Sequence, residues 1–210
     1  EGYQQGNWPP GRRSPSGLRR AMSHQIDAYC MGYRCIKESY PDARVGCSVR
    51  AANYMPANRF SAWDARVALR EGRRNNFFML DTLMQRVDAH VVDFVGVSYF
   101  GSRTVSVRWT APRSSFCRYA ADLDTVYDGE SEAKALYELL SRFARLSIPL
   151  IILGNGTPHN TDEEQCGYLL DHVGAVQQAM ANGIDVRGYV YHSLLNGFEW
   201  NLGHSRRYGL

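Results

Sequence analysis

Residues 91–100, Val-Val-Asp-Phe-Val-Gly-Val-Ser-Tyr-Phe, form an almost unbroken apolar run of strand length. A strand with one wet face alternates polar and apolar residues. A strand that is apolar throughout has both faces covered, as in a parallel sheet. Three further short apolar segments lie at 43–49, 148–153 and 186–193. Helical patterns separate them. The first runs from Leu18 to Ser39, with Leu18, Met22, Ile26, Tyr29, Tyr33 and Ile36 on one face, and ends before Pro41. The second starts at Ser61, a capping residue, and reaches Gly72. The third spans 131–146, with Ala135, Leu136, Leu139, Leu140 and Phe143 as its stripe. The fourth spans 162–182 and stops at Gly183, a suitable C′ residue. Residues 1–16 and 50–60 read as loops, 76–88 as ambiguous, and 101–128 as a long irregular insertion. Strands alternating with helices predict an α/β fold with parallel strands and helical crossovers, in one domain spanning residues 1–210. Four strands make either half of an eight-stranded barrel or a small open sheet, and periodicity does not separate the two.

Hydrophobic residues make up 44% of the 210 and charged residues 21%, a globular balance. No apolar run approaches 18 residues, so no membrane-spanning helix is expected. A formal net charge of +3 is too small to argue for nucleic acid. The cations are lopsided, since Lys37 and Lys134 are the only lysines. A GC-rich coding sequence explains that. Phosphate contact, which suits the planar guanidinium, is the functional reading. The pairs Arg12-Arg13, Arg19-Arg20, Arg73-Arg74 and Arg206-Arg207 are dispersed rather than clustered.

Cys30, Cys35, Cys47, Cys117 and Cys166 are odd in number and hold no CxxC spacing. Free, mostly buried thiols in a reducing compartment, cytoplasm or organelle matrix, are the expectation. His24, His90, His159, His172 and His204 show no metal-ligand spacing, and no cofactor is implied. The acidic start Asp162-Glu163-Glu164 complements a helix dipole. The chain opens on Glu1 without Met or a signal-like stretch, which reads as a processed chain or a piece of something larger.

The C-terminal third carries specific motifs. Pro149-Leu150-Ile151-Ile152-Leu153-Gly154-Asn155-Gly156 resembles P-I-Y-I-T-E-N-G, and residues 185–200 resemble D-V-x-G-Y-x-x-W-S-L-x-D-N-F-E-W. Tyr168-Leu169, His172, Val176, Ala179 and Asn182-Gly183 fit the helix between them, and Arg207-Tyr208-Gly209-Leu210 resembles R-F-G-L. Upstream, Asp93-Phe94-Val95-Gly96-Val97-Ser98-Tyr99-Phe100 resembles D-F-I-G-I-N-Y-Y, and Gly2-Tyr3 with Pro9-Pro10-Gly11 resembles G-Y…P-P-G. By these motifs the chain resembles the C-terminal half of a glycoside hydrolase family 1 barrel, strands five to eight.

The resemblance implies a retaining β-glycosidase fold, whose chemistry needs two carboxyl groups about 5 Å apart. The position it assigns to the nucleophile is Gly154, and the N-E-P motif of the acid/base falls upstream of Glu1. The substrate-binding positions it implies are Ser98, Phe100, His192, Glu199 and Trp200. At the first three, the family's Asn, Tyr and sugar-stacking Trp are replaced. Asn196-Gly197 stands where the family has Asp-Asn. Glu199 and Trp200 keep the family's identities and persist either as sugar contacts or as rim packing.

The implied role is a catalytically degenerate, structural or scaffolding subunit of a larger assembly. The alternatives are a carbohydrate-binding relic, or part of a β-glycosidase completed by another chain. Four strands cut from a closed barrel leave edges at 43–49 and 186–193. The expected partner is therefore another protein chain, the N-terminal half-barrel or a large-assembly subunit, with a glycan as a further ligand and nucleic acid disfavoured. Val95, Val97, Ile151, Leu153 and Val190 are expected on the inward face.

Overall fold

The computed structural model describes residues 2–3, 6, 9–86, 91–107, 117–119, 129–158, 161–198 and 203–210. The elements in chain order are α1 (Pro15–Ser39), β1 (Gly46–Pro56), α2 (Ala62–Arg86), β2 (Phe94–Val107), β3 (Cys117–Tyr119), α3 (Gly129–Phe143), β4 (Leu150–Asn155), α4 (Asp162–Ala181) and β5 (Val186–Tyr191). The sheet order is β1-β2-β4-β5, all parallel, with β3 antiparallel on β2. The alternation expected from the sequence is present. Among the described residues β1 and β5 are the edges, as expected, although both strands have different bounds from those read in the sequence.

The chain divides into two compact units, residues 1–45 with 78–93, and residues 46–77 with 94–210. In the first unit, Ser14 caps α1 by accepting from the Gly17 N–H, and Pro15 sits where its missing N–H costs nothing. Ile26 and Cys30 are buried, but Ile36, expected on the same stripe, is exposed. Lys37 turns inward instead, 2.8 Å from Asp93. The Asp93 carboxylate also accepts from the Val45 N–H at 2.8 Å and the Tyr33 hydroxyl at 3.4 Å. Burial opposes the charged form of Asp93, yet these three donors bring its pKa below the ordinary value of 3.8. The hydrogen bond to Asp93 raises the Lys37 pKa.

The second unit holds the sheet. Its strands have two unlike faces. The covered face carries Cys47, Val49 and Ala51 from β1, Val95, Val97 and Tyr99 from β2, and Leu150 and Ile152 from β4, all buried. The whole expected stripe of α3 is buried, and Tyr168, His172, Ala175, Val176 and Ala179 of α4 are buried too. Thr161 caps α4 by accepting from the Glu164 N–H, and Gly183 follows the helix at φ +83°. The other face carries Ser48 and Arg50, both exposed, the half-buried Phe94 and Ser98, and Leu153 and Val190, which are 41% and 49% exposed.

The register corrects one expectation. Val95 pairs with Leu150, Gly96 with Ile151 and Val97 with Ile152. Val95 and Val97 therefore belong to the covered face, while Ile151, Leu153 and Val190 lie on the open one. Leu153 lies across Gly96, where any β-carbon would collide with it.

Three elements outrun their sequence readings. β1 continues through the expected loop to Pro56, and α2 continues to Arg86. The Asn76 side chain supports both. Its Nδ2 donates to Ala52 O at 2.9 Å and its Oδ1 accepts from Ala52 N at 3.2 Å. This meets both backbone needs of Ala52, where the register of β1 against β2 shifts. β2 likewise runs to Val107, into the expected insertion. Among the cysteines whose side chains are described, Cys30 and Cys47 are buried but Cys35 and Cys166 are exposed, an even split where mostly buried thiols were expected. Burial pushes the Cys47 thiol up to about 11. No helix among the described residues is long and apolar enough to cross a membrane.

Candidate functional site

The C-terminal ends of the parallel strands bring the expected positions together. Gly154 pairs with Ser98 across the β2–β4 ladder. A β-carbon built on Gly154 would stand 3.3 Å from Phe100 Cζ and 3.6 Å from Ser98 Oγ. His192, just past β5, meets the Phe100 ring edge-on with centroids 5.6 Å apart. Its N–H donates to Asn155 O at 2.9 Å, and its own carbonyl packs so close to Gly156 that no side chain fits there. Gly154, Ser98, Phe100 and His192 thus form one cluster. Glu199 and Trp200 lie outside the described residues.

Two members of the cluster carried no role in the sequence reading. Tyr208 stands 6.4 Å from Phe100 and 5.9 Å from His192, centroid to centroid. It arrives there because the chain end folds back. Ser193 N–H donates to Tyr208 O and Leu210 N–H to Ser193 O, both at 3.0 Å, and the Asn196 side chain accepts from Gly209 N–H at 2.9 Å. The R-F-G-L likeness was the available signal. Arg50 places its guanidinium carbon 5.8 Å from the Phe100 ring centre. Strand alternation points it to the same face as Ser48, but in sequence the strand ends at Val49 and Arg50 reads as loop.

Directly beneath, on the covered face, is a polar network. Asn155 is fully buried. Its Nδ2 donates to Tyr99 O at 3.0 Å and to the Tyr168 hydroxyl at 2.8 Å, and its Oδ1 accepts from the Tyr189 hydroxyl at 2.6 Å. The Tyr99 hydroxyl donates to Glu132 Oε2 at 2.5 Å, and Ser102 Oγ donates to the same oxygen at 3.1 Å. Burial, then the Glu132 charge, holds the Tyr99 hydroxyl far above its ordinary pKa. Burial does the same for Tyr168 and Tyr189. These phenols stay neutral. His172 stacks on Tyr168, 3.8 Å between centroids, and its Nδ1 lies 2.8 Å from Tyr168 O. No three metal-binding side chains gather among the described residues.

The upper cluster can offer a cation, a hydroxyl, an imidazole and aromatic surfaces. None of Arg50, Ser98, Phe100, His192 and Tyr208 is a carboxylate. A carboxylate is the group with which a retaining glycosidase attacks the anomeric carbon and forms a glycosyl ester.

Comparison with known proteins places this arrangement. The family described as Glycosyl hydrolase family 1 matches residues 79–210. A beta-galactosidase of Saccharolobus solfataricus is 30% identical over 229 residues, covering 97% of this chain and 45% of that protein. The solved beta-glycosidase from Pyrococcus horikoshii superposes with a TM-score of 0.86 at 26% identity, over 99% of this chain and 51% of that one. The family 1 β-glucosidase from Thermotoga maritima shares the fold, with a TM-score of 0.84 at 21% identity. The chain spans about half the length of the relatives it matches. Its four parallel strands are those of the C-terminal half of a (β/α)₈ barrel. On the match over residues 79–210, the chain belongs to glycosyl hydrolase family 1.

Proposed function

We propose that this chain is a catalytically degenerate family 1 subunit with a structural or scaffolding role, its open sheet edges paired with another protein chain. One observation carries the reading. Gly154 occupies the position that the family resemblance gives to the nucleophile, and the Phe100 ring stands 3.3 Å from where its β-carbon would be. The carboxylate is absent and an aromatic ring crowds its place. The replacements at Ser98, Phe100, His192, Asn196 and Gly197 support relaxed selection on the whole site over a single engineered change.

The direct test is hydrolysis of 4-nitrophenyl β-glucoside and β-galactoside by the purified protein. Background rates are expected. Turnover that scales with the chain's concentration through purification would remove the proposal. The partner half of the reading rests on β1 and β5 as edges among the described strands and on the exposed Leu153 and Val190. The expected partner is the N-terminal half of the barrel. A monodisperse 23.8 kDa monomer with a sharp thermal transition would speak against any partner.

A second reading is sugar binding, supported by the retained Phe198-Glu199-Trp200. Calorimetry with glucose and cellobiose separates the two. Weak binding lost in a Glu199→Ala, Trp200→Ala double variant favours the second.

A further inference from the structure

Net charge and the scattered arginine pairs made no case for a polyanion, but the fold gathers five arginines on and just before one helix. Arg59 precedes α2, and Arg66, Arg70, Arg73 and Arg74 lie on it; all five are exposed. The segment 57–77 has two carboxylates, Asp64 and Glu71, and both are buried, at 9% and 3% exposure. Asp64 faces inward, accepting from Val107 N–H at 3.0 Å and Asn58 N–H at 3.3 Å. Glu71 reaches Arg74 only at 3.9 Å, and Arg74 keeps 47% of its side-chain surface exposed. The inner face of α2 is occupied by Ala68, which clusters with Ala52, Tyr54 and Val105, and by Asn76 on Ala52. Its outer face is cationic.

Large apolar groups share that outer face. Trp63 is 59% exposed, Leu69 70%, and Phe60, just before the helix, 83%. The Arg59 guanidinium lies 4.8 Å over the Phe60 ring. Arg66, Arg70 and Arg73 follow at i, i+4 and i+7, a stripe that climbs about 10 Å of helix. Trp63, one turn earlier, heads it. A row of forked cations fits a chain of phosphates, and aromatic faces beside such a row accept unpaired bases. An interfacial membrane helix separates its apolar and cationic sides. Here the three arginines lie between Trp63 and Leu69 on the helical wheel, which favours nucleic acid over a bilayer.

We propose that the outward face of α2 binds single-stranded nucleic acid, with Arg66, Arg70 and Arg73 on successive phosphates and Trp63 and Phe60 stacking on bases. The experiment measures binding of a fluorescein-labelled oligouridylate to the full chain by anisotropy over a salt series. Wild-type binding should weaken steeply with salt. An Arg66→Gln, Arg70→Gln, Arg73→Gln variant should bind at least tenfold more weakly, and the slope of log affinity against log salt should flatten by about two, the value for three lost phosphate contacts on a single strand. Trp63→Ala should lose about tenfold in affinity with the slope unchanged, as a lost stacking contact does. The substituted side chains are exposed, and an Arg66→Lys, Arg70→Lys, Arg73→Lys variant that keeps the wild-type slope shows that charge, not folding, is being read. Absence of salt-dependent binding, or equal binding by the glutamine variant, overturns the proposal. So does displacement of the oligonucleotide by phosphatidylserine vesicles that bind more tightly through the same residues.

Discussion

Ser98, Tyr99 and Phe100 are consecutive, and so are Gly154 and Asn155, yet the members of each set face two different worlds. Tyr99 and Asn155 point to the covered side and join Tyr168, Tyr189 and Glu132 in a buried hydrogen-bonded network. Ser98, Phe100 and Gly154 belong to the other side, where the residues that the family resemblance expects have been replaced. Alternation along a strand gives neighbouring residues separate physical tasks. One set closes the core. The other lies where the family resemblance places the reacting groups, and we propose that it has been free to change because folding depends on it less.

The comparison breaks most visibly through Asn155. Asn155→Ala would remove one buried hydrogen bond each from the Tyr168 and Tyr189 hydroxyls and the Tyr99 carbonyl, at about 1–3 kcal/mol for each group left unsatisfied. A loss of about 3 kcal/mol or more in urea unfolding is expected, and a loss under about 1 would mean that the network is not what closes this end of the sheet. Leu139→Ala, in the fully buried stripe of α3, should cost about 2–5 kcal/mol by the same measurement.

Gly154→Glu tests the open side. It should give no hydrolysis of aryl β-glucosides, and should destabilise by about 1–2 kcal/mol as its side chain displaces the Phe100 ring. Substantial activity from this single change would show that the rest of the site is intact. Ser98→Ala, at the same cluster, should shift stability by less than about 0.5 kcal/mol.

The Lys37–Asp93 pair sharpens the contrast through pH. Asp93 has a folded pKa below its ordinary 3.8, so its contribution is present above that value and is lost as pH falls through the folded pKa. Lys37, raised by the same contact, contributes below its ordinary 10.5 and loses that contribution as pH rises through its folded value. Wild type should therefore exceed Asp93→Asn across neutral pH, and the two stability curves should converge in acid. Parallel curves below pH 3.8 would show that the pair is inert.

Much of this was legible in the sequence because apolar periodicity reports burial directly. The α3 stripe and the start of α4 at Asp162 follow from it. The clustering of Ser98, Phe100, Gly154 and His192 came from motif resemblance instead. What escaped had a physical cause. The run 91–100 is apolar on both sides, so it fixes no parity, and only the register shows Val95 and Val97 on the covered face. The second half of β1 contains Arg50 and Asn53, polar residues that read as loop, but Asn53 is buried and accepts from Arg142 at 3.4 Å. α2 runs through Gly72 and Asn75-Asn76, poor helix formers, because Asn76 bonds to β1. Pairings with distant residues decide those stretches, and one-dimensional patterning does not contain them.

The Asn76 contact also has a kinetic meaning. Most sheet amides are shielded by a neighbouring strand and exchange with solvent deuterium when strands part. The Ala52 amide is shielded by a side chain on a helix. Its exchange is therefore a clock for helix α2 lifting from β1, running separately from the clocks of the amides around it.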